Sequence, residues 1–134
     1  MLASLQKAAA TNAASTAARM AAPAARRFAV TVAGSEAAAK QQLSTPYPPL
    51  KVAWFTASWC GPCKQVTPYI ENLAKNNDKV SFIKVDIDDF DDMAQENKVM
   101  SVPTFAFYKD GKEVQRVTGA DPVKIEEIVK QLCQ

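Results

Sequence analysis

WCGPCK at residues 59–64 places two cysteines, Cys60 and Cys63, three positions apart. Sulfurs at that spacing can close a small disulfide ring and open it again. An apolar run precedes the hexapeptide and a helical pattern follows it, so Cys60 is expected at the N-terminus of a helix. Unpaired backbone N–H groups and the helix dipole favour negative charge there, and the attacking form of a cysteine is the thiolate. The sequence therefore predicts that Cys60 attacks a disulfide and that the less exposed Cys63, one turn inside the helix, resolves the mixed disulfide.

Strand and helix patterns alternate on both sides of the hexapeptide. Short runs rich in β-branched and aromatic residues predict strands at residues 28–32, 52–57, 80–86, 104–108 and 113–117. Helices are expected over residues 36–43, 60–76 and 122–132, and a further one is expected to start within the acidic stretch 88–92. The order β-α-β-α-β-α-β-β-α predicts an α/β fold, with a central mixed sheet flanked by helices on both faces.

The hexapeptide resembles the active site of the thioredoxins, and the similarity extends over roughly residues 29–132. Val102-Pro103-Thr104 is similar to the cis-proline loop of that family, and Thr118-Gly119-Ala120 to its late glycine. Pro68 falls where the family has a proline that kinks the helix. The Gly-Pro pair between the cysteines differs from the Pro-Tyr usual in glutaredoxins and the Gly-His usual in protein disulfide isomerases.

This resemblance implies a thioredoxin fold and a thiol–disulfide oxidoreductase that reduces protein disulfides through the Cys60–Cys63 dithiol. It implies that Pro103 is cis, that Gly61 leaves room for a target chain and that Pro62 stiffens the disulfide ring. It also implies an apolar docking surface around the attacking cysteine, formed by Trp59, Pro62, Val102, Pro103, Gly119 and Ala120.

Trp54 departs from the family pattern, because thioredoxins commonly carry a buried aspartate six residues before the first active-site cysteine. An aromatic residue there resembles the mitochondrial o-type thioredoxins of plants and algae. We expect the indole to dry the space behind Cys63, whose proton then passes to water or to the departing thiolate. Lys84 is similar to the lysine near that aspartate. It either stabilises the Cys63 thiolate or extends to solvent, and we expect the second because a buried unpaired ammonium is unfavourable.

Charge is unevenly distributed along the 134 residues. Residues 1–27 are rich in alanine and hold four bases and no acid, whereas residues 28–134 hold twelve bases and fourteen acids. We therefore expect an organelle transit peptide at 1–27, a thioredoxin domain at 28–134 and a location in the mitochondrial matrix, since residues 26–29 resemble a mitochondrial processing site. The alternatives are a chloroplast transit peptide and a disordered tail that carries no targeting signal. The acidic domain predicts no nucleic-acid binding, and no apolar run approaches the ~20 residues that span a membrane.

The three cysteines, Cys60, Cys63 and Cys133, and the absence of histidine argue against a zinc site. Cys133 is expected to be inert, since it lies at the C-terminus, far in sequence from the pair. The resemblance implies no bound cofactor, electrons from NADPH through a thioredoxin reductase, disulfide-containing proteins as targets, and a monomer. Two other functions stay open: a non-catalytic thioredoxin-fold interaction module, and a thiol oxidase or isomerase-like relative.

Overall fold

The computed structural model of the protein describes residues 30–133, in which strands and helices follow the predicted order. The strands are β1 (Val30–Val32), β2 (Leu50–Thr56), β3 (Val80–Asp86), β4 (Thr104–Lys109) and β5 (Lys112–Thr118). The helices are α1 (Glu36–Ser44), α2 (Gly61–Lys75), α3 (Asp91–Glu96) and α4 (Pro122–Leu132).

One mixed sheet runs through the domain in the order β1-β3-β2-β4-β5. β1 and β2 are both parallel to β3, whereas β4 is antiparallel to β2, and β5 to β4. The parallel pairs require crossover connections, whereas a tight turn through Asp110 and Gly111, both with positive φ, joins β4 to β5. The predicted α/β architecture is confirmed.

Two hydrophobic cores lie on opposite faces of the sheet, because side chains alternate along each strand. Trp54 and Phe82 pack with α2 and α4, whereas Phe55 and Ile83 pack on the opposite side with α1 and α3. All seven residues of β2 are buried, as expected for a central strand that is covered on both faces. β2 therefore anchors the hexapeptide, which follows it after Ala57 and Ser58.

The helix ends follow their capping residues. Ser35 caps α1 by accepting a hydrogen bond from the backbone N–H of Ala38, and Asp121 caps α4 in the same way through Lys124. α2 continues through Pro68 to its end, because its apolar stripe is buried on both sides of that residue.

β2 begins at Leu50, two residues earlier than predicted. Lys51 is only 1% exposed, and its ammonium group donates hydrogen bonds to the carbonyls of Thr45 and Pro48. Burial lowers the pKa of Lys51, whereas the carboxylate of Asp110 opposes that shift. Through these hydrogen bonds, Lys51 of β2 holds the proline-rich loop that precedes the strand.

The acidic stretch forms a turn and then a short helix. Asp88 and Asp89 lie in the turn and not in the helix start predicted for them, because the N–H of Asp89 donates to the carbonyl of Asp86. α3 has no side-chain cap of its own. The carboxylate of Glu36 on α1 instead accepts a hydrogen bond from Met93 N (3.1 Å), which ties the two helices together.

The predicted transit peptide at 1–27, the domain boundary at residue 28 and the first two residues of the first predicted strand lie outside the described residues. Between residues 30 and 133, no helix combines the length and the apolar character needed to cross a membrane.

Candidate active site

Cys60 and Cys63 form a disulfide at the start of α2, with their Cα atoms 5.3 Å apart. Cys60 is the N-cap residue, and its Sγ accepts a hydrogen bond from the backbone N–H of Cys63 (3.1 Å). That N–H belongs to the first turn of the helix, where backbone donors have no partner within the helix. The helix end thus directs a backbone donor at the sulfur of Cys60, an arrangement that favours the negatively charged form of a thiol.

Exposure hardly separates the two cysteines. Cys60 is 3% exposed and Cys63 is 2% exposed, and both pack with Ala57. The expected difference in exposure is therefore negligible in the disulfide form, because the loop that carries Val102 packs against both sulfur-bearing residues. The backbone position distinguishes them instead, since Cys60 caps the helix and Cys63 lies within it.

A cis-proline loop lies beside the disulfide. The peptide bond between Val102 and Pro103 is cis, and the Val102 carbonyl oxygen lies 3.8 Å from Cys60 Sγ. Gly119 donates its N–H to the Pro103 carbonyl (2.8 Å) and has a φ of 109°, a conformation that favours glycine. These contacts bring three of the expected docking residues to the side of Cys60 from two loops. Ala120 follows Gly119 and is exposed.

The hexapeptide presents an exposed rim. Trp59 is 66% exposed, and its indole Nε1 donates to Asp88 Oδ2 (2.9 Å). Gly61 and Pro62 are exposed as well, and a Cβ on Gly61 would meet no atom within 4 Å, so an approaching chain has room there. The sequence singled out Trp59 but not Asp88. No local signal connects the two, because they are 29 positions apart and meet only in the folded chain.

Trp54 lies in the core beneath α2 and not against the sulfurs. It is fully buried, stacks on Phe105 with ring centroids 5.7 Å apart, and its Nε1 has no hydrogen-bond partner in the described part of the chain. Lys84 is paired with it in the β2–β3 register, and its Nζ lies 5.1 Å from the centre of an indole ring. Lys84 is half-buried, so this cation–π contact packs its side chain on the indole, and the expectation that the ammonium reaches solvent stays a prediction.

A cavity of about 370 Å³ lies beside Cys63. The residues that line it include Thr56, Cys63, Lys64, Thr67, Lys84 and Asp86. Trp54 is not among its lining residues and lies deeper in the core, whereas Lys64, Lys84 and Asp86 share the lining with Cys63. The expectation that the indole dries the space behind Cys63 stays a prediction.

Cys133 lies at the end of α4, half-buried against the core on that face of the sheet. Burial raises the pKa of its thiol, and a protonated thiol is a poor nucleophile. Its surroundings thus differ in kind from those of Cys60. Residues 30–133 contain no group of three or more histidine, cysteine or acidic side chains that could hold a metal ion.

Comparison with known proteins identifies one family. The sequence profile of the thioredoxin family, described as "Thioredoxin", matches residues 27–132. A TPR repeat-containing thioredoxin of Arabidopsis thaliana is 44% identical over 97 residues, which cover 72% of this chain and 26% of that protein. An H-type thioredoxin of Fagopyrum esculentum is 54% identical over 66 residues, which cover 49% of this chain and 57% of that protein. The chain thus spans less than two thirds of both relatives.

Solved structures show the same similarity over nearly the whole of the matching chain. The crystal structure of thioredoxin from Trypanosoma brucei brucei matches with a TM-score of 0.75 at 33% identity, covering 81% of this chain and 94% of that one. The fold therefore agrees with the family that the sequence comparison identifies.

Proposed function

Because the chain belongs to the thioredoxin family, we propose that the protein is a thiol–disulfide oxidoreductase that reduces disulfides in other proteins. The observation that carries this proposal is the Cys60–Cys63 disulfide at the start of α2, with the N–H of Cys63 donating to Cys60 Sγ. A disulfide within one helical turn can be opened and closed without moving the rest of the fold.

The geometry supports a two-step exchange. In the reduced protein, the thiolate of Cys60 attacks one sulfur of the target disulfide, and the other target sulfur leaves as a thiolate. Cys63 then attacks Cys60, the bond between Cys60 and the target breaks, and the second target sulfur leaves. Two electrons pass to the target, which becomes a dithiol, while the pair becomes the disulfide seen here.

The surface around Cys60 suits an extended segment of a target protein. The Val102 carbonyl oxygen lies 3.8 Å from Cys60 Sγ, and Trp59 supplies an exposed apolar side chain nearby in sequence. We infer that a target strand pairs with the Val102 backbone and packs on the docking surface named above.

An insulin-reduction assay with dithiothreitol as the reductant tests the proposed function. We expect the protein to accelerate precipitation of the insulin B chain and Cys60→Ser to abolish that acceleration. Precipitation no faster than with dithiothreitol alone would instead favour a non-catalytic interaction module. If the protein reactivated scrambled ribonuclease under oxidising conditions faster than it reduced insulin, an oxidase or isomerase would be favoured.

The electron supply and assembly are also part of the proposal. We propose that the protein works as a monomer without a bound cofactor and receives its electrons from NADPH through a thioredoxin reductase. Measuring NADPH consumption with reductases from the mitochondrial matrix and from plastids, with insulin as the final acceptor, tests the donor. Failure of both reductases to reduce the Cys60–Cys63 disulfide would contradict this part alone.

The cellular location rests on sequence features. We propose a mitochondrial o-type thioredoxin whose residues 1–27 are a transit peptide, supported by the acid-free composition of that segment and by the aromatic residue at position 54. Residues 1–29 fused to a fluorescent protein should enter mitochondria, and mass spectrometry should find a mature N-terminus near residue 28. Import into plastids would keep the enzymatic proposal and overturn the location.

A further inference from the structure

Cys63 has to lose a proton before it can attack, and its surroundings make that loss difficult. It is 2% exposed and packs with Ala57 and Cys60. An ordinary thiol is mostly protonated at neutral pH, and a buried thiolate is unfavourable. The backbone donor at the helix end serves the sulfur of Cys60, not that of Cys63. Deprotonation of Cys63 therefore needs a proton acceptor and a path to it.

The cavity beside Cys63 offers a proton acceptor and a path to it. Its ionisable lining residues, besides Cys63 itself, are Lys64 of α2 and Lys84 and Asp86 of β3. A lysine ammonium has protons to donate and no acceptor site, whereas an ionised carboxylate only accepts. Asp86 is thus the carboxylate among the residues that line this cavity.

The fold fixes the place of Asp86. In the β2–β3 register it is paired with Thr56, and Lys84 with Trp54, so Lys84 and Asp86 lie on the face of the sheet that α2 covers. Asp86 Oδ1 accepts a hydrogen bond from the N–H of Asp88 (2.9 Å), which holds the carboxylate at the end of the strand.

We propose that Asp86 accepts the proton of Cys63, through water in this cavity, while the mixed disulfide is resolved. This inference rests on the proposed oxidoreductase function. A cavity of about 370 Å³ has room for several water molecules, each of which occupies about 30 Å³ in the liquid, and the hydroxyl, ammonium and carboxylate groups among its lining residues offer them partners. Asp86 is half-buried, so it can pass the proton on to solvent.

Atoms and electrons are conserved in this resolving step. The proton of the Cys63 thiol moves through water to the Asp86 carboxylate, and the Cys63 sulfur forms a bond to the Cys60 sulfur. The bond between Cys60 and the target sulfur breaks, and that sulfur leaves with the electron pair as a thiolate, which solvent protonates. Asp86 then returns its proton to water and is ready for the next turnover.

Lys84 has a supporting place in this arrangement. Its Nζ is held 5.1 Å from the centre of the Trp54 ring, and the side chain lines the same cavity as Cys63. Its ammonium group therefore brings a positive charge to the cavity in which the proton is transferred. Trp54 itself cannot take the proton, because an indole N–H is only a donor.

The test separates the two exchange steps in one experiment. One equivalent of 5,5′-dithiobis(2-nitrobenzoate) is mixed with the reduced full chain, in which Cys133 is replaced by alanine. Attack by Cys60 releases a first thionitrobenzoate, and attack by Cys63 on the resulting adduct releases a second. Asp86→Asn removes the base but keeps a side-chain oxygen for the N–H of Asp88. Asp89→Asn, an exposed residue outside the cavity lining, removes the same charge and is the matched control.

We expect Asp86→Asn to slow the second release about tenfold at pH 7 and to leave the first release unchanged. This is less than the ~10²–10⁴-fold contribution of a typical general base, because water in the cavity remains as an acceptor. The difference should narrow as the pH rises, because a growing fraction of the thiol then ionises without the carboxylate. Asp89→Asn should match the parent chain in both phases at every pH.

Two outcomes would overturn the proposal. The first is a second release in Asp86→Asn that equals that of Asp89→Asn across the pH range. The second is a pH-dependent loss in Lys84→Met with none in Asp86→Asn, which would assign the effect to the ammonium group alone. Absence of both releases in the parent chain would instead contradict the oxidoreductase function on which the proposal rests.

Discussion

Cys60 and Cys63 are chemically alike, and the backbone around them gives them different surroundings. Cys60 stands before the first turn of α2 and receives the N–H of Cys63, whereas Cys63 stands within that turn beside a cavity. Under the proposed function, the first arrangement favours an attacking thiolate and leaves Cys63 to resolve the mixed disulfide. We therefore expect a mixed disulfide on Cys60 to be short-lived as long as Cys63 is present.

The two cysteine variants are predicted to fail in different ways. Cys60→Ser should form no mixed disulfide, whereas Cys63→Ser should retain its target as a covalent adduct on Cys60, because no thiol resolves the bond. Non-reducing electrophoresis of each variant after incubation with insulin measures this difference. Alkylation that modifies Cys63 before Cys60 in the reduced parent chain would contradict the assignment.

Trp54 combines strong packing with one unsatisfied group. Its ring stacks on Phe105 and lies below Lys84 Nζ, but its buried N–H has no hydrogen-bond partner in the described part of the chain. A buried polar group without a partner is destabilising by about 1–3 kcal/mol. The aromatic surface, not the N–H, is therefore what this position contributes to the core.

Replacement of Trp54 by phenylalanine and by alanine should separate these two contributions. Trp54→Ala should lower the free energy of unfolding by about 3–5 kcal/mol, as large aromatic truncations do. Trp54→Phe should lower it by about 1 kcal/mol or less, because removing the orphaned donor offsets the smaller ring. Urea unfolding measures both. Equal losses in the two variants would show that the indole N–H is satisfied in solution.

At the scale of elements, α3 is held to the sheet by polar contacts around Asn97, the residue that follows it. Tyr108 of β4 donates its hydroxyl to Asn97 Oδ1 (3.1 Å), and Arg116 of β5 donates to the Asn97 carbonyl (2.8 Å) while pairing with Glu113. Burial, followed by the negative charge of Glu113, raises the pKa of Tyr108. A neutral phenol is therefore part of the attachment of α3.

This attachment predicts how stability changes at alkaline pH. Because the pKa of Tyr108 is higher in the folded chain, the stability linked to its neutral form is fully present below about pH 10 and is lost at higher pH. Tyr108→Phe should be about 1 kcal/mol less stable than the parent chain at pH 8, since it lacks one hydrogen bond. The gap should narrow above pH 10. Urea titrations at both pH values test this, and a constant gap would contradict it.

The elements were more predictable than the contacts between them. Local patterns were sufficient to predict the order of strands and helices. The spacing of apolar residues within α2 or α4, for example, indicates which face of that helix is buried. The hydrogen bond from Trp59 to Asp88, by contrast, joins residues 29 positions apart, and no pattern within either segment contains it.

The surroundings of Cys63 were incompletely predicted for a related reason. The position of Trp54 in the sequence, six residues before Cys60, drew attention to its indole and not to the residues at the end of β3. The side chain fills the core beneath α2, and the end of β3 brings Asp86 and Lys84 to the cavity. Only the register of β3 against β2 decides which side chains meet there.

At the scale of the whole molecule, the sheet is protected unequally. β2 is paired on both sides, by β3 and β4, and all of its residues are buried. Among the described residues, β1 has three residues and pairs only with β3, and β5 pairs only with β4 and exposes most of its side chains. Ala57 and Ser58 alone separate the end of the best-protected strand from the hexapeptide.

This arrangement predicts the order of amide hydrogen exchange. Amides of β2 should exchange only when the whole domain unfolds, because no partial opening frees a strand that is paired and covered on both sides. The free energy of that opening is the global free energy of unfolding, ~5–15 kcal/mol. Amides at the ends of the β1 and β5 ladders should exchange through local openings, whose free energies are several kcal/mol below the global free energy of unfolding. Exchange followed by NMR at increasing urea measures both, since global openings become easier with denaturant and local openings hardly change. β5 amides as protected as those of β2, with the same urea dependence, would show instead that the sheet opens as one unit.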